Sequence, residues 1–141
     1  MSGRLLYRPR RNYTHMTGEE KATWDRFIAK FPVRFDSVDY DFRVGVGEIP
    51  PEDYPANYSR MVTQLSQLRI DVVGWNGEIP TIVEVKERGV VSALGALTGY
   101  RVLFVRDMPN FRMPGLLLVC GSISQDALTV FEAVDIPVEV V

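Results

Sequence analysis

Histidine and cysteine each occur once in the 141 residues, as His15 and Cys120. A single thiol excludes a disulfide framework within the chain and points to a reducing compartment. Set inside the run LLLVC, Cys120 reads as a small core residue. One histidine leaves no zinc-ligand spacing. No apolar run approaches the roughly 18 to 20 residues of a membrane span. The opening MSGRLLYRPRRN is basic with no apolar stretch behind it, unlike a signal peptide. No phosphate loop or nucleophile motif occurs, and the GxG at 45–47 is too short for a dinucleotide fingerprint. The expectation is a soluble, intracellular protein with no membrane role.

Lysine is also scarce. Of the 16 basic residues 13 are arginine, the side chain suited to bidentate phosphate contacts, although lineage bias accounts for such a composition equally well. The net charge of −2 argues against a broad nucleic-acid-binding face, but the distribution is uneven. Residues 1–12 carry Arg4, Arg8, Arg10 and Arg11 with no acid, whereas residues 107–141 set Arg112 against Asp107, Asp126, Glu132, Asp135 and Glu139. Residues 1–16 therefore read as a basic N-terminal arm. It is expected to rest on a partner, whether DNA, another protein or a second copy of the chain, with Leu5, Leu6 and Tyr7 as apolar anchor.

At 46 % hydrophobic, the remainder is one domain with a full core. TGEE at 17–20 has capping-box spacing and opens a helix whose apolar face is Trp24, Phe27, Ile28 and Phe31; Pro32 ends it. Residues 33–46 alternate as a strand through Val38, Tyr40, Phe42, Val44 and Val46. IPPEDYP, with three prolines, is a stiff loop. Residues 57–68 suggest a short helix with Met61, Leu65 and Leu68 on one side. Residues 69–75 form a strand, Asn76-Gly77 a hairpin turn, and residues 81–86 the return strand. A helix over 90–104 follows, with Gly95 and Gly99 expected to let its backbone approach the sheet. The apolar strand 116–120, the helix 124–134 and the strand 138–141 complete the chain. Three early strands form a meander and the later two join in parallel by right-handed crossovers. The fold expected is α/β, a mixed central β-sheet flanked by helices in the order αβββαβαβ.

The return strand, TIVEVKERG at 81–89, sets Glu84 and Lys86 among apolar residues. With the turn at Asn76-Gly77, Trp75 faces Glu78 and Asp71 faces Ile82, so Asp71, Ile82, Glu84 and Lys86 share one face. Asp71 is then diagonal to Glu84; a bulge at Pro80 would undo the shared face. Two carboxylates across such a gap repel unless a cation lies between them, and a hard divalent ion suits oxygen ligands and phosphate. Lys86 is placed to hold an attacking water or an oxyanion. The plain alternative is a solvated ion-pair cluster at the end of the hairpin, which adds little; Glu87 and Arg88 read that way.

Asp71 followed by Glu84-Val85-Lys86, in the context RIDVVGW, TIVEVK and ALGALTGYR, resembles the PD-(D/E)XK nuclease superfamily, and small bacteriophage members in particular. The resemblance spans residues 17–141. It implies a restriction-endonuclease-like core, Asp71 and Glu84 as acidic metal ligands with the Val85 carbonyl beside them, Lys86 as the catalytic lysine, and magnesium or manganese as cofactor. It also implies an acid on the first helix, Glu19 or Glu20, although Glu20 equally fits the capping box. Many relatives carry a glutamine on the helix after the lysine, where this chain has Ala96. Tyr100 and Arg101 remain as phosphate or core contacts, Tyr100 in the core. Two functions follow: a DNA endonuclease of phage origin in the host cytoplasm, or a virion component at head completion that keeps the fold with little catalysis and meets other phage structural proteins through its arm.

Overall fold

The computed structural model describes residues 2–48, 52–53 and 55–141. Met1, and Pro50 and Pro51 of the proline-rich loop, lie outside them, as do the side chains of Met61 and Leu65. The elements run β1 (Leu5–Leu6), α1 (Gly18–Lys30), β2 (Ser37–Val44), α2 (Ala56–Ser66), β3 (Leu68–Asn76), β4 (Ile79–Gly89), α3 (Ser92–Asp107), β5 (Gly115–Ile123), α4 (Gln125–Ala133) and β6 (Val138–Val140). The fold is mixed α/β: a six-stranded sheet in sequence order, flanked by helices. β1 to β4 are antiparallel neighbours, and β5 and β6 join in parallel. No helix among the described residues is long and apolar enough to cross a membrane.

Local chemistry explains the helix starts. Thr17 caps α1: its Oγ1 accepts from the Glu20 N–H at 3.1 Å while Glu20 Oε1 accepts from the Thr17 N–H at 3.0 Å. Ser124 caps α4 by accepting from the Ala127 N–H. Trp24, Phe27 and Ile28 of α1 bury against Val38, Tyr40, Val72, Val83, Val85, Leu117 and Val119 on one face of the sheet. On the other face Leu97 and Phe104 of α3 and Phe131 of α4 cover Val73, Trp75, Ile82, Leu116 and Leu118. The apolar strand β5 lies between β4 and β6 and is covered on both faces, as a parallel strand must be.

Four expectations need correction. The arm is part of the sheet: Leu5 pairs with Val38 and Leu6 with Ser37, and Tyr7 donates to the Phe31 carbonyl at 2.8 Å. Leu5, Leu6 and Tyr7 thus find contacts on their own domain. The first long strand begins at Ser37; Val33 is 90 % exposed. Leu68 belongs to β3, not to the helix before it. Gly95 and Gly99 do not meet the sheet, since a Cβ on either would find no atom within 4 Å.

The hairpin turn also moves. Asn76 pairs with Ile79 and Trp75 with Pro80, so Gly77 and Glu78 make the turn. Gly77 has φ +59°, and it takes the first loop position, where a II′ turn requires glycine. The clamp on the tip explains the choice: the Gly77 N–H donates to Asp36 and the Asn76 amide donates to the Arg34 carbonyl. The register therefore shifts by two residues, which keeps the faces of β3 and β4 in the expected phase with each other.

The two glycine environments give opposite outcomes. A Cβ at Gly74 would lie 2.6 Å from the Phe35 ring. Gly74→Ala is expected to lower stability by about 1–3 kcal/mol through overpacking. Gly95→Ala, on the open side of the first turn of α3, should raise it by about 0.5–1 kcal/mol. Urea denaturation of the two variants beside wild type checks both signs.

Candidate active site

Period-two alternation fails at one level of the sheet. Tyr40 and Phe42 are two residues apart on β2, yet Tyr40 packs with α1 and Phe42 against Phe104 of α3. On β3, Val72 and Ile70 divide in the same way. Between them stand Asp41, in the left-handed region at φ 52°, and Asp71, set opposite each other by the pairs Tyr40–Val72 and Phe42–Ile70. A positive φ at a non-glycine residue turns the strand over, and it is tolerated most readily by Asp and Asn.

The β3–β4 ladder ends at the same level. Val72 pairs with Val83, so the next position sets Asp71 against Glu84. The expected diagonal contact is thus a directly opposed one, and the feared one-residue slip at Pro80 does not occur. Asp71 Oδ2 accepts from the Val85 N–H at 2.9 Å, replacing a main-chain partner. The N–H and C=O of a strand residue leave from the same edge, so the Val85 carbonyl opens toward Asp71.

Glu84 is 4 % exposed. Burial drives its carboxyl well above the usual range, reinforced by a hydrogen bond and repulsion from Asp71, opposed by Lys86, and reinforced again by Glu20. Glu84 is therefore held as an acid beside Asp71, where like charges cannot both persist without a counter-ion. Neither forms an ion pair among the described residues. Lys86 is half-buried two residues on. Glu87 and Arg88 are exposed, as the solvated reading has it. Tyr100, half-buried on α3, feels burial first and then Glu84 and Asp71, which together push its phenol to about 12. It packs at the core edge yet borders the acid pair.

The first-helix acids separate. Glu19 is exposed. Glu20 comes within electrostatic reach of Glu84, but its carboxylate is engaged with the Thr17 N–H. Ala96 is half-buried and offers no polar group, and Arg101 lines a different cavity, beside Asp135 and Pro137. On the arm, Arg4 Nε donates to Asp39 Oδ1 at 2.8 Å, while Arg8 and Arg11 are exposed.

One cluster had no sequence signal. His15 Nε2 lies 3.3 Å from Asp41 Oδ2 and contacts Arg69 Nη1; Arg69 Nε is 3.7 Å from Asp41 Oδ1. These residues come from the arm, β2 and β3, and meet where β2 turns over at Asp41. Asp39 was equally hidden: at 4 % exposed it accepts from Trp75 Nε1 at 3.0 Å as well as from Arg4.

No group of three or more His, Cys, Asp or Glu is gathered closely enough for a metal among the described residues. Asp71, Glu84 and the Val85 carbonyl still fit a hard cation: all donors are oxygens, and neither acid forms a salt bridge among the described residues. The one histidine, His15, contacts Asp41 and Arg69, and the one cysteine, Cys120, is buried on β5.

The native state holds the Glu84 proton more tightly than the unfolded chain, whose value is near 4.5. Stability is therefore fully present below that value and is lost as pH rises toward the elevated folded one. Metal-free wild type should lose thermal stability from about pH 5 to about pH 8, while Glu84→Gln should stay flatter and melt higher at the upper end. Parallel melting curves for the two proteins would show that the carboxyl titrates normally. Comparison of the chain with protein-family models, curated proteins and solved structures finds no match, so the chemistry of this site rests on its own geometry.

Proposed function

We propose that the protein is a metal-dependent phosphodiester hydrolase acting on DNA, with a restriction-endonuclease-like core of the PD-(D/E)XK kind. The observation that carries this reading is the buried Glu84 carboxyl set against the half-buried Asp71 at the open end of the β3–β4 ladder, with Lys86 two residues on along β4. Burying an acid beside another acid is costly, and a surface ion-pair cluster would have no reason to do it. The sheet order, an antiparallel meander continued by two parallel strands, is compatible with such a core. Phage origin, with the host cytoplasm or the virion as setting, belongs to the same proposal.

Asp71, Glu84 and the Val85 carbonyl would hold magnesium or manganese. The ion would supply charge neutralisation at a phosphoryl oxygen and a more acidic water. Glu84 must first give up its proton, which makes cation binding tighter as pH rises. The Lys86 ammonium lowers the cost of the Glu84 charge and is free to donate to a phosphate oxygen or to orient water. Tyr100 borders the pair from α3, one turn beyond Ala96, and presents a hydroxyl that stays protonated through the neutral range.

The test is cleavage of supercoiled plasmid and single-stranded DNA with magnesium or manganese. Wild type should cleave only with metal, and Glu84→Ala and Lys86→Ala should each lose about 100-fold or more. Magnesium should also raise the melting temperature of wild type but not of Glu84→Ala. Absence of cleavage on every DNA form, with all three proteins folded, would leave a structural role in phage assembly as the better reading.

A further inference from the structure

A second cavity, of about 370 Å³, opens where the arm crosses the edge of β2. Its polar walls are Arg4, Arg10, Asn12, Thr14, Asp39 and Tyr40. β1 pairs only with Ser37 and Val38, so the edge of β2 beyond Val38 is left to the loop that follows β1. That loop is held in place: the Arg10 N–H donates to Tyr13 Oη at 3.0 Å, and Tyr13 Oη donates to Asp25 Oδ1 at 2.6 Å. The Arg10–Tyr13 side of the cavity is thus held by hydrogen bonds.

Its charge is unbalanced. Arg4 and Arg10 face a single carboxylate, Asp39, and that carboxylate is already shared between Arg4 and the Trp75 indole. Arg10 has no ion pair among the described residues, and its Nε is buried with no hydrogen-bond partner among them. A buried guanidinium donor without an acceptor is costly, and a planar donor fork fits the oxygens of a phosphate. Asn12 and Thr14, both exposed at the rim, add neutral donors.

We propose that this cavity is a phosphate-binding site, with Arg10 and Arg4 as its cationic walls, that seats a backbone phosphate of a nucleic-acid strand. Position favours the backbone as the source. Tyr40 pairs with Val72 and Val72 with Val83, so the cavity wall and the Glu84 strand are separated by β3 alone, about 10 Å at the usual strand spacing. A strand held here would be anchored two strands from the one that carries Glu84. The site would bind phosphate whether or not that pair is catalytic, so it goes beyond the hydrolase reading.

The experiment is fluorescence anisotropy of a short labelled single-stranded oligonucleotide in EDTA, over a range of salt. Proteins compared are wild type, Arg10→Gln, Asn12→Glu as a second way to spoil the cavity, and Arg112→Gln as a control for loss of one charge elsewhere. Calorimetry with inorganic phosphate forms a second arm. Arg10→Gln should weaken oligonucleotide binding by about tenfold and flatten the log–log salt slope by about 0.7. Asn12→Glu should weaken it comparably, and Arg112→Gln should change little. Phosphate binding that needs Arg10, with the oligonucleotide bound no tighter, would keep the site but overturn the backbone as its source. Equal binding by all four proteins, or no binding of either probe by wild type, overturns the site itself. Glu84→Ala should retain the Arg10-dependent binding, which separates this result from the fate of the hydrolase reading.

Discussion

Burial of the Glu84 carboxyl against Asp71 is the constraint around which the rest of the sheet is arranged. An acid at that depth can remain neutral, or it can ionise against a cation. The neighbouring architecture is consistent with either state. Asp71 is tied down by the Val85 N–H, which fixes one carboxylate as a reference for the other. The ladder stops at Val72–Val83, which frees the Val85 main chain on that side. Lys86 follows two residues later on the same strand, close enough to favour the charged state without pairing off the acid.

The turn-over at Asp41 and Asp71 creates the opening. Were both strands to alternate regularly, Phe42 and Ile70 would point toward α1 and the corner would close over. With the alternation broken, these side chains join Phe104 on the α3 face. Asp41 is left to a polar cluster with His15 and Arg69. The arm serves this geometry from outside. It adds the edge strand β1, places Arg4 on Asp39, and brings His15 to Asp41. The basic residues expected to reach for a partner thus divide: Arg4 is spent on the protein's own acid, Arg10 lines a cavity, and Arg8 and Arg11 face outward.

Much of this was legible residue by residue. TGEE announced the start of α1, LLLVC the covered strand β5, and Asn76-Gly77 the neighbourhood of the hairpin, because each signal depends on contacts within a few residues. The meeting of Asp71 with Glu84 survived an error in the turn, since a two-residue shift preserves parity. Gly95 and Gly99 were misread because spacing on a helix says which residues stand together, not which way that side faces. Asp41 and Asp39 looked like the solvent side of an alternating strand; nothing local marks a carboxylate that will be enclosed by Trp75 or by the arm.

By itself, then, the sequence determined the α/β class, the order of helices and strands after the arm, and the candidates Asp71, Glu84 and Lys86. Those follow from periodicity, caps and turn residues, which are short-range physics. Only the tertiary structure decided the depth of Glu84, the direct opposition of Asp71, the folding of the arm onto β2, and the cavity beside Arg10. Each of these depends on strand pairing between segments distant in sequence, from Asp71 with Val85 to Leu5 with Val38 and Asp39 with Trp75.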